Sequence, residues 1–382
     1  MQIARRLQNL AQSDIRRMTR ECERVGGINL GQGICDLPTP PLVRDGAIQA
    51  IRENRSTYSF AEGTLELRKA ISEKLRRDNG LAADAASEIC VTVGASGAYA
   101  AAINALLDPG DGILLFEPYY GYHLNAALVS GLVPQFVTLS PPDFALREEA
   151  LEAAITPKTR AVVVCTPSNP SGKMFSREDL SALSRVAQKR NLLVITDEIY
   201  EYIRYDGREH VSPAGVGGLR SRTVSIMGLS KTFSITGWRL GYAVAPAELT
   251  RAITLVNDLY YVCAPTPLQL GAAAGFAAPR SYFDELQSGY QRKRDAICSA
   301  LSAAGLPPIV PQGAYYVLAD CGRLGLSTSR EAAMHVLETA RVASVPGSAF
   351  YRGAEGEKLL RFCFAKDDEV LDEACRRLRA LR

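Results

Sequence analysis

Histidine is scarce in this sequence: His123, His210 and His335 are the only three among 382 residues, and they lie far apart. No metal-ligand spacing and no Ser-His-Asp constellation can be read around them. Long apolar runs are missing too. None approaches the roughly 20 residues of a membrane span, and the N-terminus lacks the apolar core of a secretory signal, so the expected home is the cytoplasm, away from any membrane. The arginine-rich opening Met1–Arg20 is interrupted by Asp14 and followed by Glu21 and Glu23, which argues against an organelle transit peptide. A basic stripe is also lacking. Lys and Arg total 44 against 41 Asp and Glu, and the net +3 is spread along the chain, so no nucleic-acid partner is implied. The nine cysteines are odd in number and scattered, several in apolar runs such as Val162–Cys165. Buried free thiols in a reducing compartment explain them better than a disulfide framework.

What is present is an ordinary globular composition, 47% apolar and 22% charged, on a chain long enough for two or three domains. From about Ala47 to Ala278, helical periodicity alternates with short runs rich in Val, Ile and Leu. Examples are 89–93, 113–116, 161–165, 192–196 and 223–227. Such runs, closed by Gly, Pro or Asp, read as strands buried on both faces. The clearest helix candidate spans 176–191, where Ser176 and Asp179 make a start signal before Leu180, Leu183 and Val186. The alternation predicts an α/β fold with a mostly parallel central sheet covered by helices. From about Arg280 the pattern changes to longer helices, 284–304 and 330–340, with shorter strands at 314–318 and 359–364. This predicts a smaller α+β domain. The division expected is 46–279 for the large domain, with 1–45 and 280–382 forming the small one.

Four polar islands follow the predicted strands: Thr166-Pro-Ser-Asn-Pro-Ser-Gly172, Asp197-Glu-Ile-Tyr200, Ser230-Lys-Thr232 and Trp238-Arg-Leu-Gly241. Ligands in such sheets bind beyond the carboxyl ends of the strands, where these islands fall. Singly, each is more often a helix cap or a solvated charge. In this order, and with flanking residues from Asn29-Leu-Gly-Gln-Gly33 to Arg361-Phe-Cys-Phe-Ala365, the chain resembles the fold-type-I aminotransferases of class I and II. That resemblance implies pyridoxal 5'-phosphate as cofactor, an amino acid and a 2-oxo acid as substrates, and a homodimer with shared active sites.

The roles implied residue by residue follow the cofactor's needs. Lys231 resembles the lysine that holds the cofactor as a Schiff base, with burial and nearby positive charge expected to lower its pKa. Asp197 resembles the carboxylate beneath the pyridine nitrogen. Tyr200 and Asn169 resemble the donors to the ring's phenolic oxygen, and Asn169-Pro170 is a candidate cis bond. The segment Val93-Gly-Ala-Ser-Gly97 follows a strand and opens a helix, so the amides of Ala95 and Ser96 are expected to meet the phosphate. Arg239, eight residues after the lysine, resembles the phosphate arginine. Tyr120 sits where relatives place a ring on the cofactor face, and Tyr58 where a tyrosine reaches the neighbouring subunit's phosphate. Arg361 resembles the arginine that grips the substrate carboxylate, and Gly33 lies in the segment that closes over the substrate. Trp238, the single tryptophan, reads as packing.

Two departures from the family pattern matter. Where some relatives carry a serine three residues before the lysine, this chain has Gly228, leaving Ser230 or Thr266 to replace its phosphate contact. Aspartate-specific relatives often have a lysine in the phosphate loop, whereas Ala95 and Ser96 stand here. With Tyr119, Tyr120, Tyr260, Tyr261 and Tyr315 as pocket candidates, neutral or aromatic amino acids are favoured over aspartate. The same shared chemistry also admits an alternative outcome, β-elimination or a biosynthetic cyclisation or oxidation.

Overall fold

The computed structural model describes residues 4–7, 10 and 14–381. After a 3-10 turn at Arg5–Leu7 come α1 (Asp14–Val25) and β1 (Ile28–Asn29), followed by α2 (Pro41–Arg52), α3 (Leu65–Lys74) and a π-helical turn, Leu75–Asn79. Next come β2 (Ile89–Val93), α4 (Gly94–Leu106), β3 (Gly112–Glu117), α5 (Gly121–Val129), β4 (Val133–Thr138) and α6 (Glu148–Ala154). The alternation continues through β5 (Thr159–Cys165), α7 (Arg177–Lys189), β6 (Leu193–Asp197), β7 (Thr223–Gly228) and β8 (Leu240–Val244), to α8 (Ala247–Tyr261) and α9 (Thr266–Gly275). The rest is α10 (Arg280–Ala303), β9 (Pro308–Ile309), β10 (Tyr316–Asp320), α11 (Ser329–Ala340), β11 (Val342–Ala343), β12 (Val345–Pro346), β13 (Leu359–Cys363) and α12 (Asp368–Arg379).

Seven strands form the central sheet in the order β2-β8-β7-β6-β5-β3-β4. All neighbours are parallel except β8, which runs against both β2 and β7. Successive side chains of a strand point to opposite faces, and both faces here are apolar. Ile113, Leu115, Val163 and Ile195 pack with Ala98, Ala102 and Ile103 of α4 and Ile253 of α8. Leu114, Phe116, Val162, Val164 and Val194 pack on the other face with Leu180, Leu183 and Val186 of α7. A fully buried side chain of this kind contributes about 1.5–3 kcal/mol, which is why these runs are continuously apolar. The expected capping box of α7 is present, with Asp179 N–H donating to Ser176 Oγ at 3.1 Å and Ser176 N–H to Asp179 Oδ2 at 3.0 Å.

The smaller sheet has the order β12-β13-β10-β9 and is antiparallel throughout, and a separate two-stranded ladder pairs β1 with β11. Its core joins α10, α11 and α12 through Tyr290, Ile297, Val336, Leu337, Leu371 and Leu378, and it includes Met18 and Cys22 of α1. The strand expected at 314–318 begins two residues later. Ala314 has φ +59° and its N–H donates to Ile203 O, so the chain turns there before pairing starts. The expected seam after residue 45 falls inside α2, which packs along α9 and so goes with the larger body. Asp36, by contrast, is tied to the smaller one through Lys366 and Ala365. No helix among the described residues is long and apolar enough to cross a membrane.

Candidate active site

The carboxyl ends of β2, β3, β5, β6 and β7 deliver their following residues to one edge of the large sheet. Because β8 is antiparallel, Arg239, just before it, arrives at that same edge. There a cavity of about 340 Å³ opens between the sheet and the smaller body. It is lined by Ala95, Ser96, Tyr120 and Asn169, by Asp197, Tyr200, Lys231 and Arg239, and from the smaller body by Gly33 and Arg361. Tyr58, expected at a cofactor phosphate, lies away from the cavity, 81% exposed on an outer loop.

Lys231 is largely buried, and its Nζ donates one long hydrogen bond, 3.3 Å to Gly33 O, with the Tyr315 ring 5.4 Å away. Burial pulls its pKa below the ordinary value near 10.5, and the nearby Cys363 and Cys35 thiols counteract this only in part. Asp197 ends β6, its Oδ2 3.0 Å from His123 Nε2 and its Oδ1 accepting from Ile199 N–H at 3.3 Å. His123, on α5, is fixed edge-on to Tyr120 with centroids 5.2 Å apart and tilted against Tyr99 at 4.7 Å. The segment after Asp197 is anchored from behind. Glu198 accepts from Thr196 Oγ1 at 2.6 Å and pairs with His210 Nε2 at 2.8 Å, while Glu201 forms a buried ion pair with Lys74 of α3. Burial raises the Glu198 pKa, but His210 and Thr196 outweigh it and hold the carboxyl below its usual range.

Tyr200 donates to Tyr316 Oη at 3.2 Å, and burial pushes both phenols up, Tyr316 to about 12, so each remains a donor at neutral pH. Arg361 is fully buried in β13. Its Nη1 donates to Asn169 Oδ1 at 2.9 Å and its Nη2 to Gly31 O at 2.5 Å, and the guanidinium lies 4.3 Å from the Tyr316 ring centroid. Its Nε has no partner among the described residues. An unpartnered buried donor beside a cavity costs stability unless a ligand satisfies it, so this arginine fits a carboxylate. The Asn169-Pro170 peptide is cis.

The phosphate corner fits its group as well. α4 opens without a side-chain cap, leaving first-turn N–H groups available. Gly94, at φ +73°, lets the Arg239 guanidinium lie where a Cβ would come within 2.6 Å of Nη2. Arg239 Nη2 also donates to Ser96 Oγ at 3.1 Å. Gly228 is explained by packing: a Cβ there would meet Ile199 Cγ1 at 2.4 Å, so no serine fits. Ser230 lines the cavity, whereas Thr266 does not and donates to Thr57 O at 2.7 Å.

The expected tyrosine pocket is corrected. Of its five candidates only Tyr120 lines the cavity; Tyr119 packs on Phe136, Tyr260 and Tyr261 lie at the outer end of α8, and Tyr315 sits beneath Lys231. Tyr99, Tyr122 and Tyr316 line it instead. His123 and Tyr316 were missed because their partners, Asp197 and Tyr200, are 74 and 116 residues away in the chain. Among the described residues no group of three His, Cys, Asp or Glu is placed to hold a metal ion.

A seven-stranded mixed sheet with a buried lysine at its carboxyl edge and two separate arginine sites around it defines a fold-type-I enzyme. The chain belongs to the aminotransferases of class I and II, whose family model matches residues 25–378. It is similar to the probable N-succinyldiaminopimelate aminotransferase of Mycobacterium tuberculosis, 35% identical over 98% of both chains. The solved structure of that N-succinyldiaminopimelate aminotransferase superposes with a TM-score of 0.96 over 100% of each chain. The aromatic-amino-acid aminotransferase 2 of Thermococcus litoralis is 34% identical over 99% of this chain and 97% of its own. An aspartate aminotransferase of Rhizobium meliloti is 37% identical over 92% and 88%. These relatives support transamination and not the elimination, cyclisation or oxidation alternative.

Proposed function

We propose that the cavity holds pyridoxal 5'-phosphate on Lys231 and that the enzyme moves the amino group of a neutral or aromatic L-amino acid to a 2-oxo acid. The observation that carries this reading is a buried amine, nearly free of hydrogen-bond partners, facing a cavity with a carboxylate and two unrelated arginines in its wall. When bound, this cofactor supplies an electron sink that lets the Cα–H bond of an amino acid ionise.

The chain's own residues do the rest. Arg239, Ser96 and the first amides of α4, including Ala95, bind the phosphate. Asp197, oriented by His123, keeps a carboxylate against the ring nitrogen and favours its protonated form. Tyr200 and Asn169 address the phenolic oxygen, and Tyr120 covers one face of the ring. Arg361 binds the substrate carboxylate and so aims the Cα–H bond, while Gly33 closes over it. The Lys231 amine, biased by burial toward its neutral form, takes the Cα proton and returns it. Tyr58 completes the phosphate site of a second copy, which makes the working form a homodimer. The smaller body, residues 14–37 and 280–381, closes the site against the larger one. Nine free cysteines support a cytoplasmic setting.

The test is to incubate the purified protein with a panel of L-amino acids, follow the cofactor's absorbance and identify the oxo acids released. Spectral conversion with a stoichiometric oxo acid from leucine, methionine, phenylalanine or tyrosine is expected. Release of ammonia without transfer to a 2-oxo acid would overturn the reading.

A further inference from the structure

Glu117 ends β3 as a buried carboxylate three residues before Tyr120, yet it is not among the residues that line the cavity. A buried carboxylate costs stability unless donors surround it. Here the donors come from both bodies. Thr138 Oγ1, at the end of the neighbouring strand β4, donates to Oε2 at 2.8 Å, and the backbone N–H of Arg352, in the smaller body, donates to Oε1 at 2.7 Å. The Arg352 guanidinium adds its charge from the exposed side, with Nε 3.5 Å from Oε1 and the group 4.0 Å from the Phe136 ring centroid. Two residues on from Glu117, the Tyr119 N–H donates to Phe350 O at 3.0 Å. The end of β3 therefore grips the segment 350–352 at two points.

That segment leads back to the site. Phe350 closes a short 3-10 turn, Gly347–Phe350, whose start is fixed to α11 by Ser348 N–H donating to Ser329 Oγ at 3.2 Å. The buried Phe350 ring has its centroid 5.0 Å from the Arg361 guanidinium, which also lies against Tyr316. With Nε unpartnered, Arg361 depends on these rings as well as on Asn169 and Gly31 for its direction. We infer that Glu117 is a positioning residue for the substrate carboxylate: it holds the segment 350–352 against the end of β3 and so sets Phe350 against Arg361. Without the carboxylate, the segment is released at one of its two points and the Phe350 ring no longer keeps the Arg361 fork aimed into the cavity. Arg239 and Ser96, which serve the phosphate, stand on other elements, so cofactor binding is spared. The inference rests on the assignment of Arg361 made above.

The test uses the full-length holoenzyme and its variants Glu117→Met, Glu117→Gln, Phe350→Leu and the double variant Glu117→Met with Phe350→Leu. Measured for each are KM and kcat with a donor from the panel, the Kd of the unreactive acid 3-phenylpropionate by calorimetry, and the Kd of the cofactor. Glu117→Met is expected to raise KM and the acid's Kd about tenfold, equivalent to about 1.4 kcal/mol, with kcat and the cofactor's Kd within about twofold of wild type. Glu117→Gln keeps an acceptor for the Arg352 N–H and should raise them only about threefold. Phe350→Leu should act like Glu117→Met, and the double variant should stay within about twofold of Phe350→Leu, because both changes act on one contact. If Glu117→Met does not fold, the same comparison is made with Glu117→Gln. An unchanged KM and acid Kd in the Glu117 variants, even with lowered thermal stability, would overturn the inference, and so would single effects that multiply in the double variant. Arg361→Leu is the reference. If it leaves the acid's Kd unchanged, the carboxylate assignment in the proposed function falls and the inference with it; if it weakens the acid and the Glu117 variants do not, the inference alone falls.

Discussion

Lys231 sits where an ammonium is poorly served: it is largely buried, and its Nζ has one long hydrogen bond, 3.3 Å to Gly33 O, with the Tyr315 ring 5.4 Å away. Its folded pKa is depressed, so between that value and about 10.5 the unfolded chain binds the proton and the folded chain does not. Through this group, the stability of the cofactor-free protein therefore rises with pH across that window. A neutral amine is also the nucleophile. At pH 7.5, reductive alkylation of the cofactor-free protein with a small aldehyde should label Lys231 ahead of exposed Lys158, as read by peptide mapping; equal or reversed labelling would show the amine to be protonated. Asp197 offers a separate test, because Asp197→Asn keeps the shape and the His123 contact while removing the charge. Cofactor should remain on Lys231 while turnover falls by about three orders of magnitude, at about 1.4 kcal/mol for each factor of ten. An isotope effect with Cα-deuterated substrate should grow. Near-normal turnover in this variant would remove Asp197 from the ring nitrogen. Lys231, Asp197, Arg239 and Arg361 were expected together from the resemblance of the segments that carry them, and all four line the cavity. His123 was not, because its role is made by a contact across 74 positions.

At the scale of elements, the phosphate corner depends on how α4 begins. Gly94 adopts φ +73°, and its missing side chain leaves the space that the Arg239 guanidinium fills. Gly94→Ala should cost about 1 kcal/mol in backbone strain and push Arg239 off its position. Cofactor dissociation is expected to speed up so that Kd rises about tenfold or more, a loss of at least about 1.4 kcal/mol. Fluorescence titration of the cofactor-free variant measures this, and an unchanged Kd would separate Arg239 from the phosphate. The signals that place α7 are local, a Ser-x-x-Asp box and a 3.6-residue apolar period, and they survive into the structure. The direction of β8 has no such local signal. Its residues are apolar like those of its parallel neighbours, and only pairing with β2 and β7 sets it antiparallel and carries Arg239 to the site.

For the whole molecule, the surface around Tyr58 is the informative part. Tyr58 and Phe60 stand 81% and 77% exposed, and Leu255, Leu259, Tyr260 and Val262 at the outer end of α8 are exposed beside them. The loop is tied to those helices through Asn257 to Ala61 O at 3.0 Å and Gln269 to Ser59 Oγ at 3.1 Å. Tyr261, at the same end of α8, lies 3.6 Å from the Cβ position of Gly97 in the first turn of α4. Exposed apolar surface of this kind suits an association site, and in the proposed homodimer a second copy seated on it would bring Tyr58 to a neighbouring cavity. Leu259→Glu should raise the dimer dissociation constant by about 100-fold, since a charge placed in apolar contact costs on the order of 3 kcal/mol. Sedimentation should show monomers, with activity falling in step with dissociation. A fully active monomer would contradict the shared site.

The amino-acid sequence by itself determined the alternation of buried strands and covering helices, because this rests on periodicity, and its contiguous polar islands carry residues that line the cavity. Tertiary structure alone decided which groups meet across the chain: His123 with Asp197, Tyr316 with Tyr200, and Arg361 with Asn169. It also decided which tyrosines face the cavity, since Tyr119, Tyr120 and Tyr122 are near neighbours in sequence and differ only in where strand, turn and helix aim them. Local pattern encodes which residues are buried; what they face is set by packing between elements that the sequence leaves far apart.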